Sequence, residues 1–121
     1  LFAETDVVAA EKIKRVIEAG IESVYCIQEE SMNVPVACNI IAYEPVWAIG
    51  TGKPAAPEHA SEVAAKIIAQ AKNNVKVIYG GSVTPDNVHT YTTLPHISGV
   101  LPGGASLNAK TFYSLIINAQ R

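Results

Sequence analysis

The stretch that decides the fold is Ala42-Tyr43-Glu44-Pro45-Val46-Trp47-Ala48-Ile49-Gly50-Thr51-Gly52-Lys53. It continues Asn39-Ile40-Ile41, a short apolar run of the kind that makes a buried strand, so Glu44 projects from the strand's C-terminal end. α/β folds place their chemistry at that end. Pro45-Val46-Trp47 and Lys53-Pro54-Ala55 supply rigid flanks, and the compact tip from Ala48 to Gly52 between them is bounded by glycines. This is the build of a lid that closes as one body and carries a backbone N–H over a ligand.

Upstream, Ala9, Ile13, Val16 and Ile17 fall on one face at helical spacing, and Gly20 stands where a left-handed cap ends the helix. The pattern predicts a helix over 6–19 and a strand over 23–27. The eleven residues 28–38 then form the connection, in which residues 29–35 hold at most one helical turn before Pro35 stops it. Parallel strands ordinarily need a crossover of about a dozen residues or more, usually helical.

Downstream, Pro57 suits a first helical position and Glu58 complements the positive helix start. Ala60, Val63, Ala64, Ile67, Ile68 and Ala71 form an apolar stripe, which predicts a helix over 57–72. A Val, Ile and Tyr-rich strand over 75–79 runs into Gly80-Gly81-Ser82-Val83. Thr84-Pro85-Asp86 supplies a cap, a first-turn proline and a first-turn acid for a short helix. The last unit repeats the plan, with a strand over 96–101, a glycine-rich turn over 102–106 and a helix over 109–119. That helix is expected to carry Phe112, Leu115, Ile116 and Ala119 inward. Strand, glycine-rich turn and helix recurring in this way predict α/β architecture with a parallel sheet.

Tyr43-Glu44-Pro45-Val46-Trp47, Tyr79-Gly80-Gly81-Ser82-Val83 and Gly103-Gly104-Ala105-Ser106-Leu107, three separated motifs in order, resemble the triosephosphate isomerase family. Leu1 to Asp6 is similar to the start of that family's fourth barrel helix, and Cys26-Ile27-Gln28-Glu29 to the end of its fifth strand. A complete eight-unit barrel takes about 250 residues, and this chain has 121. The resemblance therefore implies one domain, half of a (β/α)8 barrel with about four parallel strands and their helices. The alternative is a flattened open parallel sheet with helices on both faces.

For the site, the resemblance implies that Glu44 is the general base, in a family that is itself the standard example of a Glu base beneath a closing loop. It makes Pro45, Val46, Trp47, Ala48, Ile49, Thr51, Gly52 and Lys53 the lid. It assigns the substrate phosphate to Gly81, Ser82, Gly103 and Gly104, with the amide of Gly50 joining on closure. Backbone N–H groups in glycine turns at strand–helix junctions approach anions closely. The implied reaction interconverts dihydroxyacetone phosphate and glyceraldehyde 3-phosphate without cofactor or metal. The chain departs from the family in four places. The 28–38 connection is short, Pro54 replaces a hydroxyl residue, Pro102 an aliphatic one and Ser98 an acid. It also lacks the first-half segments that carry the family's asparagine, lysine and histidine, so the chain alone is expected to be inactive or very weak. The competing reading is a non-catalytic phosphate-binding or self-assembling half-barrel module.

Composition narrows the partners. The chain is 49% hydrophobic and 17% charged with a net charge of −2, and so lacks the basic footprint of a nucleic-acid or anionic-membrane binder. No apolar run approaches the roughly 20 residues of a membrane span. A small anionic ligand is expected, a triose phosphate or inorganic phosphate or sulfate. Cys26 and Cys38 lie on strands read as buried, without metal-ligand spacing, which points to reduced structural thiols and a cytoplasmic protein. His59, His89 and His96 read as surface or structural residues. The chain opens at Leu1 with Met32 as its methionine, the mark of a fragment or a trimmed chain. Half a barrel leaves a strand edge at each end, near Tyr25 and near Val100, and unpaired edges predict a homo-oligomer.

Overall fold

The computed structural model describes residues 4–29, 33–34 and 37–120. Helix α1 (Asp6–Glu18) starts where the Thr5 hydroxyl accepts the Val8 N–H at 3.4 Å. It ends in a paired cap: Gly20 at φ +73° lets its own N–H reach Ile17 O and the Ile21 N–H reach Val16 O. Four strands follow, β1 (Val24–Ile27), β2 (Ile40–Tyr43), β3 (Lys76–Tyr79) and β4 (Gly99–Val100). Helix α2 (Pro57–Gln70) lies between β2 and β3, α3 (Val88–Thr92) between β3 and β4, and α4 (Ala109–Ala119) closes the chain. Short 3-10 turns occupy Val46–Ala48 and Gly104–Ser106.

All pairings are parallel and the strand order is β1-β2-β3-β4. For crossovers of the usual right hand, an order that never reverses puts the helices between strands on one face of the sheet. The core agrees. Ile27, Ile41, Tyr43, Val77 and Tyr79 pack in one cluster with Ile13 of α1, Val63 and Ile67 of α2, Val88 and Tyr91 of α3, and Leu115 of α4. The alternate strand positions, Val24, Cys26, Ile40, Ala42 and Ile78, point away from that cluster. This is the winding of half a barrel, and the open sheet with helices on both faces is set aside.

The 28–38 connection still allows β1 and β2 to pair in full register, Val24 with Ile40 through Ile27 with Tyr43. The turn expected in 29–35 lies largely outside the described residues, as do Leu1 to Ala3.

Several expectations need correction. Strand β4 is two residues, not six. Turns from α3, with Leu94 N–H to Tyr91 O and Ile97 N–H to Leu94 O, occupy the residues before it, and Pro102 has no N–H to extend it. Helix α3 begins at Val88 rather than at Pro85. The Asn87 side chain takes the Thr84 N–H at 2.8 Å and donates to Ser82 O at 3.0 Å, so residues 84–87 fold as a separate turn. On α4 only Leu115 is buried, while Phe112 and Ile116 are 38% and 40% exposed because α4 packs on α3 and the 104–106 turn without a further unit beyond it. Ile17 and Ile68 are likewise exposed. Cys38 is buried as expected, but Cys26 is exposed, since β1 is an edge strand and position 26 faces away from the helices.

Candidate functional site

Strand β2 delivers Glu44 to the C-terminal rim. The Glu44 N–H donates to Ile27 O at 2.8 Å, carrying the β1–β2 ladder one residue past the strand, and Gly80 N–H does the same for β3 with Tyr43 O at 2.8 Å. Glu44 and Gly80 therefore stand side by side. A Cβ on Gly80 would lie 2.7 Å from Glu44 Cγ and 3.0 Å from Oε1, so glycine here makes room for the half-buried carboxylate. On the other flank Cys26 faces the same carboxylate. Partial desolvation of the sulfur first, and then the charge and hydrogen-bonding influence of Glu44, push that thiol up to about 11.

The segment read from the sequence as a lid is tied within itself and to the floor. Pro45 O accepts the Ala48 N–H at 2.8 Å, closing the first turn, and the tip bends through left-handed Gly50 and Gly52 at φ +65° and +71°. The Thr51 hydroxyl bonds Trp47 O at 3.2 Å and accepts the Lys53 N–H at 3.2 Å, so the tip is braced across its width. Ser82 Oγ donates to Ala48 O at 2.7 Å, and the Ala55 N–H donates to Tyr79 Oη at 2.8 Å. The start of the tip and the C-terminal flank thus rest on the end of β3 and the turn that follows it. Gly81 in that turn is required by packing: a Cβ there would stand 2.1 Å from Tyr79 Oη.

A cavity of about 510 Å³ opens above these groups. Glu44, Gly50, Gly81, Ser82, Gly103 and Gly104, the base and all five phosphate positions read from the sequence, line it together with Ile49 and Gly52 of the lid. Pro45, Val46, Trp47, Ala48, Thr51 and Lys53 are not among its lining residues; Trp47 is 57% exposed and Lys53 is exposed. Leu107, the last residue of the third motif, is exposed.

The two glycine turns differ from expectation in what lies behind them. The 80–83 turn is separated from α3 by the 84–87 turn, and a five-residue helix has little dipole to offer. The 102–106 turn leads to the eleven-residue α4, whose start is capped by Asn108 Oδ1 accepting Lys110 N–H at 3.0 Å and Thr111 N–H at 3.1 Å.

Gly80, Cys26 and the Tyr79 and Tyr91 hydroxyls were invisible to motif reading as site components. Register supplies the missing signal for one: Cys26 pairs with Ala42 and so shares the Glu44 face. None of His59, His89 and His96 lines the cavity among the described residues, and His59 Nε2 sits 3.4 Å from Tyr43 Oη. The described residues hold no group of three His, Cys, Asp or Glu placed for a metal ion. They also contain no helix long and apolar enough to cross a membrane.

A family model described as triosephosphate isomerase matches residues 32–119, from before β2 to the end of α4. The chain belongs to the triosephosphate isomerase family. It is 34% identical to triosephosphate isomerase of Acinetobacter baumannii over 146 residues, covering 96% of this chain and 55% of that protein. Triosephosphate isomerase of Shewanella halifaxensis is 37% identical over 95% of this chain and 56% of its own length. That of Hahella chejuensis is 37% identical over 96% and 58%. The chain thus spans little more than half the length of these relatives. The 146-residue alignment also exceeds the 121 residues present, so the Acinetobacter protein carries residues with no counterpart here.

Proposed function

We propose that this chain carries the base, lid and phosphate grip of a triose-phosphate isomerase site, and that it interconverts dihydroxyacetone phosphate and glyceraldehyde 3-phosphate when the barrel is completed. The observation that carries the reading is one cavity gathering Glu44, the lid tip and both glycine turns. Backbone N–H groups of Gly81, Gly103 and Gly104, with Ser82 and the Gly50 amide, hold the phosphate. The Glu44 carboxylate takes a proton from the carbon beside the carbonyl, leaving an enediol, and returns it to the neighbouring carbon. No atom is gained or lost. The closed lid expels water from around the carboxylate and strengthens each electrostatic contact beneath it.

Among the described residues lining the cavity, Glu44 is the one ionisable group, so no lysine or histidine there polarises the carbonyl. Loss of a single preorganised donor costs about a hundredfold to a thousandfold in rate. This favours a second reading in parallel, a chain that binds phosphate or assembles but does not turn over. The deciding experiment is the triose-phosphate interconversion rate of the purified chain beside an identically prepared Glu44→Gln variant, with sulfate binding followed on each. Activity lost in the variant supports the isomerase. Equal background with sulfate bound by both supports the silent module.

Completion by a second copy is part of the proposal. The unpaired edges of β1 and β4 lie at opposite ends of one sheet, and two copies related by a two-fold axis would join each β4 to the partner's β1 in an eight-stranded ring. A strictly monomeric mass across micromolar concentrations overturns it. The two free thiols, Cys26 and Cys38, fit a reducing cytoplasmic setting.

A further inference from the structure

Two tyrosines of one βα unit, at the end of β3 and in α3, meet at one residue of the lid's C-terminal flank and hold both of its backbone groups. Ala55 is 1% exposed and belongs to no helix or strand, so its N–H and C=O need partners from elsewhere. The N–H donates to Tyr79 Oη at 2.8 Å, at the end of β3. The C=O accepts from the Tyr91 hydroxyl at 2.5 Å, from α3. The two rings stack, with centroids 4.3 Å apart and planes inclined by 13°, and both are buried.

Packing alone accounts for the Tyr91 ring, which fills the core cluster beside Val88 and Leu115. It does not account for the hydroxyl. A buried phenol needs a hydrogen-bond partner, and this one finds it in a carbonyl 36 residues away in sequence rather than within its own unit. Burial first, and the neighbouring Tyr79 next, raise the Tyr91 phenol well above the ordinary tyrosine value, so it stays protonated and remains a donor.

The position of Ala55 gives the contact its meaning. The tip between Trp47 and Lys53 is braced by Thr51, so closure has to be absorbed at the flanks. On the N-terminal side a single side-chain bond, Ser82 Oγ to Ala48 O, holds the first residue of the tip. The C-terminal flank is held at two points, and one of them, Tyr79 Oη, also lies under Gly81 in the phosphate turn. Ala55 is therefore the anchored pivot.

We infer that Tyr91 is a positioning residue for the lid: by holding the Ala55 carbonyl it fixes the pivot and, with Tyr79, sets the balance between a lid docked on the β3 turn and a released one. The inference rests on reading residues 46–53 as a lid over an anion site.

The test uses the whole chain with Tyr91→Phe, which keeps the ring and its stacking and removes only the hydroxyl. Amide hydrogen exchange is read at Ala55, with Ile41 and Val77 in the sheet as internal references, and Trp47, the chain's one tryptophan, reports the lid by iodide quenching. Exchange at Ala55 should rise about tenfold or more and quenching should increase, with Ile41 and Val77 unmoved. Tyr79→Phe should act at the same residue, and the double variant should release Ala55 by less than the product of the two single effects, because one pivot is shared. Unchanged exchange at Ala55, or a rise in step with Ile41 and Val77, overturns the assignment. Sulfate separates this from the site reading. If sulfate slows Ala55 exchange in the unaltered chain, and less so in Tyr91→Phe, the pivot serves the anion site. If sulfate acts on no variant while Tyr91→Phe still frees Ala55, the pivot stands and the anion reading falls.

Discussion

The Glu44 side chain lies against the bare Cα of Gly80, with Cγ only 2.7 Å from where a Cβ would stand. The carboxylate proposed as the base is thus aimed by the absence of a side chain on the neighbouring strand. Gly80→Ala should leave the fold in place, because the flexible Glu44 side chain can swing aside, but it should move the carboxylate by about an ångström. A misplacement of that size costs about a hundredfold in rate. The check is the isomerase rate of the completed barrel. Cys26 alkylation gives a second reading that needs no turnover, since a displaced carboxylate no longer holds the thiol.

Cys26 should be a slow nucleophile despite its exposure. With its thiol raised from 9.0 to about 11 by partial desolvation of the sulfur at the strand edge and then by Glu44, the thiolate fraction at pH 8 is about tenfold to a hundredfold below that of a free cysteine. Iodoacetamide labelling should climb steeply toward pH 11, and Glu44→Gln should shift the profile to lower pH. Cys38 is buried and does not confuse the reading. The linkage runs in one direction. The folded-state value is the higher one, so this thiol's contribution to stability is complete below about pH 9.0 and is lost as pH rises through about 11.

The glycines of the two turns proposed to hold phosphate should part company when substituted. Gly81→Ala drives a methyl to 2.1 Å from Tyr79 Oη and 2.5 Å from its Cζ, against a buried ring with little room to yield. A loss of about 1–3 kcal/mol is expected in urea or thermal unfolding. Gly104→Ala meets nothing within 4 Å, needs no left-handed backbone and begins the 3-10 turn, so it should hold its stability within about 0.5 kcal/mol. Any weakening of sulfate binding by Gly104→Ala then reports on the ligand rather than on folding.

Asn108→Ala should shorten α4 from its start. Asn108 Oδ1 caps two N–H groups, those of Lys110 and Thr111, and loss of such a cap costs about 1 kcal/mol. Thr5→Ala should cost less, since its single bond to Val8 is 3.4 Å long. Unfolding midpoints of the two variants give the comparison directly.

What was legible in the residues follows from how local each signal is. The helix over 109–119 is found where its periodicity places it, and α2 agrees to within two residues, because apolar spacing and terminal signals lie within the helix itself. Glu44, Gly81, Ser82, Gly103 and Gly104 share a cavity because each follows a strand of a parallel sheet, and strand direction brings them to one rim, with Gly50 reaching it from the loop after β2. The failures lie where the decision is made elsewhere. Phe112 and Ile116 sit at helical core spacing yet remain exposed, since burial there needs a neighbour beyond α4. Cys26 depends on its strand being an edge. The start of α3 is decided by the Asn87 side chain reaching back to Ser82 and Thr84, a competition that the attractive Thr84-Pro85-Asp86 signal does not disclose. The Ala55 contacts span 24 and 36 residues and leave no trace in any local pattern.

The unreversed order of β1 to β4 has a rotational consequence. In a ring of eight strands each βα unit advances the chain by about an eighth of a revolution, so these four sweep half a revolution, with all helices outside. The rim that carries Glu44 and the glycine turns is then a semicircle. In the proposed ring, the opposite arc over Val24, Ile40 and Ile78 runs with the same strand direction, which a copy turned by 180° would supply.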